Sequence, residues 1–126
     1  MGGLIFTVPL IPPSLNHYKT RFRNGNTVVT AESIAFKQSI AIYARGAAIS
    51  AKTFSVSIKV VLPKGARGDV DNFPKLCLDG LADAGVFLNR KGKRVSDAYV
   101  RHLVVDLDSD SRPDEGRTVI TVEALT

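Results

Sequence analysis

Two aspartates one residue apart, Asp69 and Asp71, are the residues whose types and spacing most directly allow metal chemistry. In an extended backbone the side chains alternate with period 2, so both carboxylates point the same way and can share a ligand. A hard cation such as Mg²⁺ takes oxygen ligands and keeps water and substrate oxygens in the rest of its shell. Such an ion can activate water and neutralise charge as a phosphodiester is displaced. The pair therefore predicts a divalent-metal site for cutting DNA.

A lysine and further acids continue this pair along a predicted helix. Asp71 and Asn72 are good N-cap residues and Pro74 suits a first helical turn, so we expect the helix to begin there. Four charged residues recur every fourth position on one face of it: Asp71, Lys75, Asp79 and Asp83. We expect Lys75 to donate to the phosphate or the attacking hydroxide, and Asp79 to orient Lys75 or to support a metal-bound water.

A solvated helix face with weak ion pairs is the plain alternative for this row of charges. The order of the parts favours the metal site instead. Arg67-Gly68 ends a predicted strand, the acids follow, and a helix N-terminus comes next. Chemistry in α/β folds is commonly placed at such strand ends. A later carboxylate, Asp97, can complete a ligand set with Asp69 and Asp71.

Composition limits the class of protein. A chain of 126 residues that is 44% hydrophobic predicts a single domain over 1–126, small enough that dimerisation would help it. Its net charge of +5 favours a polyanionic partner or an anionic membrane surface. The sequence has neither a secretory leader nor an apolar run near the roughly 20 residues of a membrane span, so we expect a soluble, cytoplasmic protein. The one cysteine, Cys77, is predicted to be a buried structural thiol.

Hydrophobic periodicity predicts an α/β fold in which a mixed sheet carries two main helices. Strands are expected at Leu4–Leu10, Phe54–Leu62, Tyr99–Leu107 and Arg117–Ala124, and helices at Ala31–Ala48 and from Asn72 to a cap at Gly85. Thr30 is the expected N-cap of the first helix. Its apolar stripe includes Ile34, Phe36, Ile40 and Tyr43. Apolar residues on both faces predict that the third strand is central.

Cations are concentrated in two predicted loops. The segment 16–26, which we expect to be a loop or short ribbon, mixes them with aromatic residues. This mixture suits phosphate contacts and base stacking, although a solvated basic loop fits equally well. The segment 89–94 places four cations around a glycine and is expected to be a flexible loop along phosphates. The candidate DNA-binding residues are Lys19, Arg21, Arg23, Arg67, Arg90, Lys91, Lys93 and Arg94.

With these residues in place, the sequence resembles the RusA-type Holliday-junction endodeoxyribonucleases of bacteria and phages. The matching motifs are Pro12-Pro13-Ser14-Leu15-Asn16, Asp69-Val70-Asp71-Asn72 with Lys75 and Asp79, Leu81-Ala82-Asp83-Ala84-Gly85-Val86 and Asp97-Ala98-Tyr99-Val100. They span most of the chain in the family's order. The aspartate-lysine core is fairly specific, whereas the proline motif alone is weak.

The resemblance implies that Asp69, Asp71 and Asp97 are catalytic acids that bind Mg²⁺, for which Mn²⁺ can substitute. It implies that Lys75 is a catalytic lysine, supported by Asn72 and Asp79. A homodimer with a RusA-like fold would resolve four-way or other branched DNA by paired symmetric nicks in recombination and repair. Two departures stand out: the family usually has two adjacent acids where this chain has Ser96-Asp97, and 89–95 looks inserted.

A second class of function is a non-catalytic nucleic-acid-binding module. Its basic loops would contact phosphates while the acids merely paired with lysines. Magnesium-dependent nicking of a synthetic four-way junction separates the two hypotheses.

Overall fold

The computed structural model describes residues 3–13, 19–21, 27–66 and 74–125, and for 19–21 and 27–29 it describes the backbone alone. The two helices are α1 (Ala31–Ala44) and α2 (Pro74–Asp83). The strands are β1 (Gly3–Val8), β2 (Lys19–Arg21), β3 (Thr27–Val29), β4 (Ile49–Ser50), β5 (Phe54–Val61), β6 (Phe87–Leu88), β7 (Val100–Asp108) and β8 (Arg117–Ala124). A 3-10 helix, Asp97–Tyr99, leads into β7. None of the described helices is long and apolar enough to cross a membrane.

A four-stranded sheet in the order β1-β8-β5-β7 forms the centre of the fold. β8 runs antiparallel to both β1 and β5, whereas β5 and β7 are parallel. Parallel neighbours need a crossover connection, and α2 lies within the chain segment that joins them. β2 and β3 form an antiparallel ribbon, and β4 pairs with β6 in parallel. The predicted α/β fold with a mixed sheet and two helices is confirmed.

One face of the sheet and both helices enclose the core. Period 2 in β5 buries Phe54, Val56, Ile58 and Val60, as predicted. Both helices add fully buried side chains: Phe36 and Ile40 from α1, and Leu76, Cys77 and Leu81 from α2. The helices approach closely at Gly80, where an added Cβ would lie 2.6 Å from Ile40 Cδ1.

The first helix differs from its prediction in length and in its buried face. Thr30 is the N-cap, as expected, and its side chain accepts a hydrogen bond from the Ser33 amide. The helix ends at Ala44 rather than Ala48 because Arg45 adopts a left-handed conformation with φ of 55°. Ile34 and Tyr43 are 45% and 40% exposed. Two serines are buried instead, Ser33 and Ser39. Ser39 can be buried because its hydroxyl donates to the Phe36 carbonyl at 2.6 Å.

The prediction that the third strand is central is wrong. Within the described residues β7 pairs with β5 alone and forms an edge of the sheet. Leu103 and Val104 on it are 41% and 38% exposed. In the described part of the chain, no second strand and no helix covers the outer side of β7. Apolar residues on both faces of this strand are therefore no sign that it is buried.

The expected end of the strand before the acid motif also needs correction. β5 ends at Val61, one residue before the Leu62 that the alternation predicted and well before Arg67-Gly68. The chain turns at Gly65, whose φ of 79° is a left-handed conformation. In the parallel register Phe54 lies opposite Val100, so Asp97 is at the N-terminal ends of β5 and β7. The expectation that strand C-termini carry the chemistry therefore does not apply to Asp97.

Candidate active site

Lys75 lies in the first turn of α2, and the described part of the predicted site is arranged around it. Its Nζ donates a hydrogen bond of 3.1 Å to Asp79 Oδ1 one helical turn later. Residues four apart lie on one face of a helix, which is why the two side chains meet. The Lys75 side chain is 57% exposed and that of Asp79 is 23% exposed. Among the described residues, Asp79 holds the lysine, whose side chain remains open to a ligand.

The electrostatic surroundings of Lys75 keep it protonated. Its pKa is raised above the ordinary value, chiefly by the hydrogen bond to Asp79. Partial burial opposes this change, and the negative charges of Asp79 and Asp97 add to it. A lysine with a raised pKa is a cationic hydrogen-bond donor at neutral pH and not a general base.

Asp97 approaches Lys75 from a different part of the chain. It begins the 3-10 helix, which packs against α2. Ser96 caps this turn by accepting a 3.2 Å hydrogen bond from the Ala98 amide, and the Arg101 guanidinium donates to the Ala98 carbonyl. The half-buried Asp97 is therefore placed by a short, internally bonded turn.

The other predicted site residues are described less fully. Asp69, Asp71, Asn72, Arg67 and Arg23 lie outside the described residues. For Lys19 and Arg21 the structure describes only the backbone, which belongs to β2. Among the residues that are described, no three His, Cys, Asp or Glu side chains lie close enough to hold a metal ion. Of the three predicted metal ligands, the structure describes Asp97, whereas Asp69 and Asp71 lie outside the described residues.

No family model matches this sequence. Curated relatives do match it. Crossover junction endodeoxyribonuclease RusA of Escherichia coli K12 is 33% identical over 92 residues, which cover 71% of this chain and 75% of the relative. The protein of the same name from Enterobacteria phage 82 is 32% identical over 81 residues, or 62% of this chain and 67% of the relative. The Shigella sonnei protein is 31% identical over 92 residues. This chain belongs to the RusA family.

Asp83 is separated from the rest of the charged row in this RusA-family chain. Its Oδ2 lies 2.8 Å from Lys37 Nζ, so Asp83 pairs with a cation of α1. Successive positions four apart drift around the helix by about 40°, because four residues turn more than one full 3.6-residue turn. The charged side chains after Lys75 therefore turn gradually towards α1, where Asp83 meets Lys37. Asp79 is thus the last acid of this row that contacts Lys75.

The basic segment of the RusA-family chain at 89–94 is an ordered turn and not the flexible loop that we expected. Asn89 Oδ1 accepts hydrogen bonds from the amides of Lys91 and Lys93 at 2.9 and 3.0 Å. The Asn89 amide also donates to the Lys93 carbonyl at 2.8 Å. One asparagine thus organises the backbone that carries the four cations.

The four cations of this turn have different surroundings. The Arg94 guanidinium packs over Gly85, where an added Cβ would lie 2.8 Å from Arg94 Nε. Gly85, with φ of 75°, ends α2 as predicted, so Arg94 lies beside a helix C-terminus, where a cation is stabilising. Arg90 and Lys91 instead border an open pocket beside Tyr99. All four cations are exposed, but Arg94 also packs on Gly85, whereas Arg90 and Lys91 border the pocket.

Sequence reasoning missed two residues of this RusA-family chain, one beside the pocket near Tyr99 and one beyond the C-terminal ends of β5 and β7. Lys52 borders the same pocket as Arg90 and Lys91, although no motif surrounds it in the sequence. Arg112 clamps the connection that leads from β5 towards the acid motif, donating to the carbonyl oxygens of Pro63 and Ala66 at 3.1 and 2.5 Å. Arg112 has a positive φ of 44°, which is uncommon for a residue other than glycine and marks it as unusual. The sequence alone does not show this backbone angle.

Proposed function

We propose that this chain is a metal-dependent endodeoxyribonuclease that cuts four-way and other branched DNA. Its relatives in the RusA family carry the name crossover junction endodeoxyribonuclease. The single observation within the molecule that supports the proposal is the Lys75 ammonium group, bonded to Asp79 and under the negative charge of Asp97. A fixed cation beside a half-buried carboxylate suits the cleavage of a phosphodiester better than simple anion binding, which does not require the acid.

The donor set fits a hard divalent cation. Asp69, Asp71 and Asp97 would supply carboxylate oxygens only, which suits Mg²⁺, with Mn²⁺ as a substitute. Asp97 is partly accessible, which a metal ligand beside a bound substrate must be. It stands on the turn that the hydrogen bond from the Ala98 amide to Ser96 Oγ holds in place. When bound, the ion would supply an activated water and positive charge at the phosphate.

Lys75 has a defined part in this proposal. An ammonium group has three N–H donors, of which the bond to Asp79 uses one. The remaining donors can bind a phosphate oxygen and stabilise negative charge that grows in the transition state. Asp79 acts as a positioning residue, since it restricts Lys75 to the rotamers that keep this bond.

The proposed substrate accounts for the excess of basic residues. A net charge of +5 favours a polyanion, and the exposed cations Arg90 and Lys91 stand on an ordered turn near the site. Resolution of a four-way junction takes two nicks in opposed strands, and a C2 homodimer presents two sites at once. We include a homodimer, a role in recombination and repair and a cytoplasmic location in the proposal. Sedimentation of a monomer at micromolar concentration, both alone and on a junction, would exclude the homodimer.

A synthetic four-way junction tests the activity. The parent should nick it in Mg²⁺ or Mn²⁺ and bind without nicking in EDTA, whereas Lys75→Ala should bind without efficient nicking. Asp83→Asn is the matched control, because Asp83 is an acid of the same helix that pairs with Lys37 instead. Tight binding by the parent with no nicking in either metal would favour the non-catalytic binding module. Absence of both binding and nicking would refute the proposed function.

A further inference from the structure

An open pocket of about 300 Å³ lies at the N-terminal ends of β5 and β7, beside the turn that carries Asp97. This volume is at the lower end of the range for pockets that take small organic groups. Among the described residues, six line it: Ala51, Lys52, Asn89, Arg90, Lys91 and Tyr99.

Two hydrogen bonds to backbone carbonyl oxygens fix the walls of this pocket. The Ala51 amide donates to the Leu88 carbonyl at 3.0 Å, and Ser50 Oγ donates to the Asn89 carbonyl at 2.5 Å. The first bond joins the residue after β4 to the end of β6, and the second joins the end of β4 to the turn after β6. Ala51 itself is buried, so the base of the pocket belongs to the core. The base of the pocket is therefore built by the fold, and exposed side chains of Lys52, Arg90, Lys91 and Tyr99 form its rim.

The chemistry of the lining is that of a nucleotide site. Tyr99 is 39% exposed and offers an aromatic face. Three cations from two chain segments line the same pocket, and the lining residues that the structure describes include no acid. Unpaired bases stack on aromatic rings and on guanidinium planes, while lysines bind the adjoining phosphates. A duplex buries its bases, so only an unstacked base can use such a pocket.

The position of Tyr99 relates the pocket to the proposed site of cleavage. Asp97 and Tyr99 are the first and last residues of one 3-10 helix. A 3-10 helix rises about 2 Å per residue, so the backbone positions of Asp97 and Tyr99 lie about 4 Å apart along its axis, and a strand bound at Asp97 passes within reach of Tyr99. A phosphate near Asp97 would thus have its neighbouring nucleotide close to Tyr99.

We propose that this pocket receives an unstacked nucleobase of the strand to be cut, stacked on Tyr99, with Lys52, Arg90 and Lys91 on the phosphates that flank it. The inference rests on the proposed function, because it assumes that branched DNA lies along Asp97. It adds Tyr99 and Lys52 to the DNA-binding surface. Branch points supply such bases at low cost, since bases there are already partly freed from stacking.

The test uses four-way junctions that carry the fluorescent base 2-aminopurine at successive positions around the exchange point. Binding is measured in EDTA so that cutting does not interfere. The parent should change the fluorescence at one or two positions. Tyr99→Leu should abolish that change and weaken binding by roughly 5- to 150-fold, the range for loss of one stacked base. Tyr99→Phe should behave as the parent, because it keeps the ring.

The chain offers a closely matched control in Tyr43, which is 40% exposed on α1 and lines no part of this pocket. Tyr43→Leu should leave both fluorescence and affinity unchanged. A second pair of variants tests the cations: Lys52→Ala should reduce the log-log salt dependence of binding by roughly 0.9. Lys59→Ala, which removes an exposed lysine of β5, should not.

Parent-like fluorescence and affinity in Tyr99→Leu would overturn the base pocket and leave the nuclease proposal intact. Equal losses in Tyr99→Leu and Tyr43→Leu would also overturn it, since the effect would not belong to the pocket. An effect of Lys52→Ala without one of Tyr99→Leu would mean that the pocket binds phosphate only, which contradicts the inference. Failure of the parent to bind or cut any junction would refute the proposed function and this inference with it.

Discussion

The guanidinium of Arg112 donates a 2.5 Å hydrogen bond to the carbonyl oxygen of Ala66. Arg112 follows β7, whereas Ala66 is the last described residue before the predicted acid motif. The same side chain also bonds the carbonyl oxygens of Pro63 and Ser109. One half-buried arginine thus joins the chain that leaves β7 to the chain that leads towards Asp69.

We expect Arg112→Ala to destabilise the protein by about 1–3 kcal/mol, because several carbonyl groups lose a charged donor. Single-turnover cutting should fall as well, since the connection towards Asp69 loses its anchor. Urea unfolding and cleavage of a synthetic junction measure the two effects. Lys64→Ala is the control: Lys64 pairs with Asp114 at 3.0 Å in the same region, but both side chains are largely exposed, so little should change. Equal effects of the two variants would contradict the role given to Arg112.

Lys75→Ala should lower the single-turnover rate of junction cutting by roughly 100- to 1000-fold, the usual effect of removing one transition-state donor. Junction affinity should change little, since binding is spread over many other cations. Asp79→Asn should have a smaller effect on rate, because its amide oxygen can still accept from Lys75. If rate and affinity fell equally in Lys75→Ala, the lysine would be a phosphate anchor instead.

Asp97→Asn and Asp71→Asn should each abolish cutting in Mg²⁺ while leaving junction binding intact or tighter. Each change removes a proposed metal ligand and also a negative charge that faces phosphate. Asp106→Asn makes the same charge change on an exposed residue of β7 and should be neutral. Asp108 is unsuitable as a control, because it accepts hydrogen bonds from the amides of Asp110 and Ser111. Activity of Asp97→Asn within a few-fold of the parent would remove Asp97 from the metal site.

The basic turn should separate into two kinds of residue. Neutralising Arg90 and Lys91 together should flatten the log-log salt dependence of DNA binding by roughly 0.9 per lost phosphate contact, with unchanged stability. Arg94→Ala should instead lower the melting temperature with little change in salt dependence, since its guanidinium packs over Gly85. Salt titrations and thermal melts distinguish these outcomes. Identical salt slopes for the double variant and the parent would mean that this turn points away from DNA.

Stability should fall with alkaline pH through Cys77. Burial raises the pKa of this thiol to about 12, whereas an unfolded chain would have a cysteine pKa near about 8.5. The folded protein therefore holds the proton over a range in which the unfolded chain releases it, and the free energy of unfolding declines from about pH 8.5 towards pH 12. Cys77→Ala should show a shallower decline over that range. The native thiol should react with disulfide reagents only as fast as the protein opens; rapid reaction in native buffer would contradict its burial.

Much of the local structure could be predicted from the sequence because its causes are local. Phe54–Val61 and Arg117–Ala124 alternate apolar and polar residues, and both are strands as predicted, since period 2 is a property of extended backbone itself. The Thr30 cap and the Gly85 terminus were predicted for the same kind of reason. A capping hydroxyl and a left-handed glycine act on their own neighbouring residues.

Only the tertiary structure decided where these elements stand. Strand order depends on pairing between distant segments, so the apolar content of Val100–Asp108 could not tell an edge strand from a central one. The approach of Asp97 to Lys75, and of Lys52 to Tyr99, likewise depends on the crossover that brings the starts of β5 and β7 side by side. By itself the sequence determined the chemical groups and the local backbone of this protein. The packing of helices on the sheet determined which of those groups meet, because contacts between remote residues follow the fold as a whole and not any local periodicity.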